Sequence, residues 1–174
     1  MDKRRIQGAS RLPGIKSKAP CGNMKDKSKT LKIYGFKADE KGFMEIPDTL
    51  RAMQDFVGGY IEHVSLPNGL DLIINDESSI NGSEPRLAYY SCDLTSSDIT
   101  KEDSDSDDSG FEHIYYGDCY ICRHKGEEFA SILKSDKEWI EKHFIHIHKD
   151  MNPILYLKVM LDLRDYMRRH RGRR

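Results

Sequence analysis

An α+β fold with a small antiparallel β-sheet is predicted by three features of this 174-residue chain. Strand-like runs fill its middle, a hairpin signal joins two of them, and helical periodicity gathers towards the C-terminus. That order places one helix in the N-terminal half, two at the C-terminal end, and a sheet covered on one face.

Residues 1–30 hold nine Lys or Arg against two Asp, a charge of +7. They mix Lys, Arg, Gly, Ser and Pro with no apolar period, so they bury too little surface to offset the entropy of ordering. A disordered basic arm is predicted there. "LKIYGFK" at 31–37 alternates as a first strand. "IPDTLRAMQDFVGG" at 46–59 then puts Leu50, Met53 and Val57 at helical spacing, with Pro47 suited to the first turn and Gly58 to the stop. "YIEHVSL" and "LDLIIND" flank "PNG", where Asn68-Gly69 accepts the positive φ angles of a tight hairpin turn. "RLAYYSC" and "HIYYGDCYICR" supply further short strands, with a bend at Gly117-Asp118.

In "SDKEWIEKHFIHIH", Ser135 and Glu138 have the spacing of a capping box, and Trp139, Phe144 and Ile147 share an inward helical stripe. Asn152-Pro153 opens a last helix, whose Leu157, Met160, Leu161 and Met167 are expected to face inward. The organisation is thus a basic arm (1–30), an α+β domain (31–150) carrying an acidic insertion (93–112), and a C-terminal helix with an arginine-rich tail (151–174).

The net charge of −1 hides segregation: −7 in the insertion, +5 over residues 164–174, and an acidic remainder. With no apolar run near the start and none long enough to span a bilayer, a cytoplasmic chain with free thiols and no membrane partner is expected.

The insertion begins like a calcium loop, with Asp103, Asp105 and Asp107 at alternate positions. An EF-hand needs Gly at its sixth position and Glu at its twelfth, and those are Asp108 and Ile114. Two readings stay open: a solvated insertion, or a polyanion in which Asp103, Asp105, Asp107 and Asp108 engage a basic partner. At the other end, Arg164, Arg168 and Arg171 recur at spacings of four and three and form one ridge if the helix continues, joined by Arg169, Arg173 and Arg174. Clustered Arg binds phosphate with bidentate geometry, so RNA contact is the functional reading, against a solubilising frayed end.

Neither the cysteines nor the histidines promise a metal. Cys119 and Cys122 are three apart, so in a strand they point to opposite faces and read as core thiols. His143 and His146 would be neighbours on a helix surface, whereas His148 lies about 200° round from His146. The glycines of "FVGGYIE" read as a helix stop rather than a phosphate cradle. No catalytic residue, cofactor or metal site is assigned.

The run from "MEIPDTLRAMQDFVGGYIEHVSLPNGLDLIINDESSINGSEPRLAYY" through "YYGDCYICRHKGEEFASI" resembles domain-of-unknown-function family thirty-eight forty-six. The order of parts carries the resemblance: a helix into Val57-Gly58-Gly59-Tyr60-Ile61-Glu62, then Asn75-Asp76-Glu77, then Gly117-Asp118 before an apolar strand. It covers roughly 31 to 140, and the basic arm, acidic insertion and last helix are departures from it. It implies an accessory protein of phages or mobile elements, a setting rich in proteins directed against host defence.

The combined expectation is a binding protein rather than an enzyme. The first reading is an inhibitor engaging a host defence protein or ribonucleoprotein, such as a CRISPR effector nuclease or its guide RNA, as an anti-CRISPR protein does. The alternatives are a direct RNA- or DNA-binding regulator and a nuclease or hydrolase with dispersed residues.

Overall fold

The computed structural model describes residues 29–92, 94 and 110–171. The basic arm before residue 29, Asp103, Asp105, Asp107 and Asp108 of the acidic run, and Arg173 and Arg174 lie outside those residues.

The elements run β1 (Thr30–Phe36), β2 (Lys41–Pro47), α1 (Leu50–Val57), β3 (Ile61–Leu66), β4 (Leu70–Asn75), β5 (Pro85–Tyr90), β6 (Phe111–Tyr116), β7 (Cys119–Lys125), β8 (Glu128–Ala130), α2 (Asp136–His143), β9 (Phe144–His146) and α3 (Pro153–His170). The α+β class holds, and all pairings are antiparallel. The single sheet with one covered face becomes two sheets. The larger has the order β2-β1-β7-β4-β3, with β8 also on β7, and the smaller has the order β6-β5-β9.

Strand alternation sorts the side chains into three cores. Tyr34 and Phe36, Leu70 and Leu72, and Cys119 and Ile121 pack towards Leu87, Tyr115, Ile140 and Phe144, between the two sheets and α2. The opposite face of the large sheet gives Leu31, Ile33, Ile73, Tyr120 and Cys122 to Met53 and Val57 of α1. Ala88, Tyr90, Ile114 and Ile145 line the outer face of the small sheet and receive α3. The layers therefore run α1, large sheet, small sheet, α3.

The local signals fare unevenly. Asn68 (φ 65°) and Gly69 (φ 71°) turn the β3–β4 hairpin through one 3-10 turn, Pro67–Gly69. Gly58 ends α1 in the left-handed region at φ 76°, and its N–H donates to the Gln54 carbonyl. Pro47, however, closes β2, and Thr49 starts the helix by accepting from the Ala52 N–H at 3.2 Å. Leu50 points to solvent. Residues 41–47 pair along the whole of β1, and that pairing overrides the helical onset expected at Ile46-Pro47.

The capping box at Ser135 does not form, since the Ser135 side chain makes no cap bond. Asp136 takes over: its carboxylate accepts from the Leu133 N–H at 2.9 Å and from Arg123. Nor does one helix carry Trp139, Phe144 and Ile147. α2 stops at His143 and the chain extends into β9, where Leu87, Ala88 and Tyr89 supply partners. The histidine surface pair dissolves with it, because His143 and His146 are both buried.

Candidate nucleic-acid interface

Asn152 starts α3 by accepting from the Ile154 N–H at 2.8 Å and the Leu155 N–H at 3.4 Å. Pro153 sits at the first helical position, where a missing N–H costs nothing. The inward stripe is the buried Val159 with the partly buried Leu155, Met160, Leu163 and Tyr166. Leu157, Leu161 and Met167 face out, contrary to expectation; only Met160 of the four expected residues turns inward.

One polar tie fixes the helix rotation. The Tyr90 hydroxyl, on a fully buried side chain, donates to Asp162 Oδ2 at 2.9 Å, and Lys158 Nζ donates to the same oxygen at 3.0 Å. Burial, followed by the Asp162 carboxylate, pushes the Tyr90 hydroxyl far above its ordinary range, so it stays a donor. Tyr166 packs edge-on to Phe111 at 5.6 Å and stacks on His170 at 4.1 Å.

With the inner stripe fixed, the opposite ridge must read Ile154, Leu157, Leu161, Arg164, Arg168 and Arg171, at alternating spacings of three and four. It starts apolar and ends cationic, and all six residues are exposed. The predicted arginine ridge therefore exists along described residues, with Arg169 about 100° to one side. Arg164 Nε and Arg168 Nη1 lie 3.1 and 3.7 Å from Asp165 Oδ1. These pairs are exposed and worth little, so an incoming phosphate exchanges with Asp165 at small cost. The bland role of these cations is complementing the C-terminal end of the helix dipole.

Two concavities escaped the sequence reading. One, of about 340 Å³, is lined by His63, Ser65, Asp71, His124, Glu127 and Glu128, with Gly126 and Phe129. The other, of about 630 Å³, lies beside the start of α3, between Arg86, His148, Lys149, Met151 and Tyr156. Both are assembled from segments far apart in the sequence, which is why no local motif marked them. Cys119 and Cys122 lie in different cores, as alternation demands, and burial pushes the Cys122 thiol up to about 12. Among the described residues no set of His, Cys, Asp or Glu is placed to hold a metal ion. Among them, too, no helix is long and apolar enough to cross a membrane.

The fold and its outermost helix define an α+β protein that presents a cationic ridge on a C-terminal helix packed against the small sheet. The chain belongs to the family described as Domain of unknown function (DUF3846), whose model matches residues 34–145. α3 lies beyond that match. No curated protein matches the chain significantly, and no solved structure does.

Proposed function

We propose that the chain is a binding protein that engages nucleic acid through its phosphates, using the Arg164, Arg168 and Arg171 ridge. The carrying observation is that three exposed arginines share one ridge of a helix tied to the small sheet by the Tyr90–Asp162 bond. The ridge rises about 6 Å from Arg164 to Arg168 and about 4.5 Å more to Arg171. A row of forked donors attached along one helix suits consecutive phosphates better than a frayed tail does. In the phage or mobile-element setting that the family resemblance implies, the nucleic acid includes the guide RNA of a host defence ribonucleoprotein. Inhibition of such a complex then differs from direct regulation only in needing the partner's protein.

The test is titration of labelled single-stranded RNA and duplex DNA at several salt concentrations, with the chain and with its Arg164→Gln/Arg168→Gln/Arg171→Gln variant. For single strands, losing three phosphate contacts lowers the slope of log affinity against log salt by about 2. No binding at low salt, or an unchanged slope in the variant, refutes the reading. Capture from bacterial lysate with and without nuclease separates naked nucleic acid from a ribonucleoprotein.

A further inference from the structure

We propose that the cleft on the α1 face of the large sheet is a binding site for a guanidinium group. α1 is eight residues long, about 12 Å, and covers only part of that face. Beyond its reach the same face continues through Ser65 and Asp71, which pair across β3 and β4, and Asp71 pairs in turn with Cys122 of β7. His124 lies two residues further along β7, and Glu127, Glu128 and Phe129 close the cleft from the turn into β8.

Asp71 is the decisive residue. It is 4% exposed, in the middle of three paired strands, where an apolar side chain would ordinarily serve. Its Oδ2 lies 3.1 Å from His124 Nδ1, while its Oδ1 has no hydrogen-bond partner among the described residues. A buried carboxylate oxygen left without a donor is costly, so the site demands one. The cleft's lining has three carboxylates and no Lys or Arg, and His124, a cation only when protonated, faces the other Asp71 oxygen. A cationic donor satisfies the unpaired oxygen and the field of Glu127 and Glu128 together.

The acceptors select the shape of that donor. With Nδ1–H turned to Asp71, the neutral form of His124 offers its Nε2 lone pair, and the Ser65 hydroxyl and two glutamates widen the set. These acceptors do not converge on a point as metal ligands do, but a planar fork with five N–H donors reaches several of them. Phe129 adds an aromatic ring for the flat cation to lie against. A volume of about 340 Å³ admits an arginine side chain. The group comes either from a partner's arginine or from a free guanidine compound.

The test titrates the full-length chain with agmatine, with the neutral urea analogue of agmatine, and with a capped arginine dipeptide, following the His124 ring protons by NMR. Saturable agmatine binding that shifts those protons, at least tenfold tighter than the urea analogue and at least tenfold weaker in Asp71→Asn, supports the site. Tighter binding of the dipeptide than of agmatine points to a partner's side chain, and the reverse to a free ligand. Equal binding of agmatine and its urea analogue, no saturable binding, or unchanged affinity in Asp71→Asn overturns it. Should Asp71→Asn fail to fold, Glu128→Gln on the exposed rim decides: a threefold or greater loss of agmatine affinity supports the site, and an unchanged value overturns it.

Discussion

Arg123 on β7 grips Asp136 in the first turn of α2 with two parallel bonds, Nη2 to Oδ1 at 2.6 Å and Nε to Oδ2 at 2.8 Å. The pair joins the large sheet to the helix that covers its inner core. The Arg123 hydrogen bonds hold the Asp136 carboxyl below its ordinary range despite the opposing effect of burial. Asp136→Asn keeps the size but loses the charge-assisted fork, which costs about 2 kcal/mol. The expected outcome is a melting temperature lower by about 6 °C, measured by circular dichroism. A depressed carboxyl contributes stability that is present above its unfolded value and lost as pH falls through the folded one, so the deficit of Asp136→Asn should shrink below about pH 4.

Gly59 sets up a second prediction. A Cβ there would meet Asn75 Nδ2 at 2.5 Å and its Oδ1 at 2.7 Å. Asn75 is 5% exposed; its amide donates to the Gly58 carbonyl at 3.2 Å and its oxygen accepts from the Glu77 N–H at 3.0 Å. Gly59→Ala therefore breaks both bonds rather than merely crowding a flexible side chain. A loss of about 2 to 3 kcal/mol in urea unfolding is expected, with m unchanged.

That contact also explains what was readable in the chain. "VGGYIE" and "NDE", two of the stretches that suggested the family, meet at this joint, so their spacing reflects one packed turn. Local chemistry was legible wherever a backbone angle decided it, as at Asn68-Gly69 and Gly58. It failed where partners decided. β2 exists because β1 offers a full register, and "FIH" is a strand because β5 lacks a second neighbour without it. The last helix was foreseen with the right start but the wrong rotation, since Leu157 and Leu161 are as apolar as Leu155 and Leu163. Partners on the small sheet distinguish the faces, through the Tyr90–Asp162 bond and the Phe111–Tyr166 contact, and no periodicity reveals them. Asp71 and His124 are 53 positions apart, which hid their cleft entirely.

His146 gives stability a pH dependence. It is buried in β9, and its Nε2–H donates to the Lys37 carbonyl at 2.7 Å. Desolvation outweighs that bond, and His148, Lys41 and Arg86 add like charge, so its pKa falls below the ordinary value. The unfolded chain then binds a proton before the folded one does. Stability is complete above about pH 6.5 and declines as pH drops towards the folded value, by at most about 1.4 kcal/mol per pH unit. Urea midpoints at pH 7.5 and 5.5 measure the decline. In His146→Gln the part of this slope due to one imidazole should vanish, and an unchanged slope assigns it elsewhere.

Tyr90→Phe tests whether α3 acts as a preset platform. The substitution removes one hydroxyl from a fully buried ring and leaves Asp162 with Lys158 as its remaining side-chain donor. The cost is about 1.4 kcal/mol and falls on the attachment of α3 to the small sheet. Amide exchange in α3 should accelerate about tenfold, while that of β4, buried in the large sheet, stays as it was. If ridge geometry matters for phosphate contact, this variant also weakens RNA affinity while keeping the salt slope, because every arginine is still present. A lowered slope would instead mean that arginines have left the nucleic acid. The pair of readouts thus separates the loss of a platform from the loss of charge.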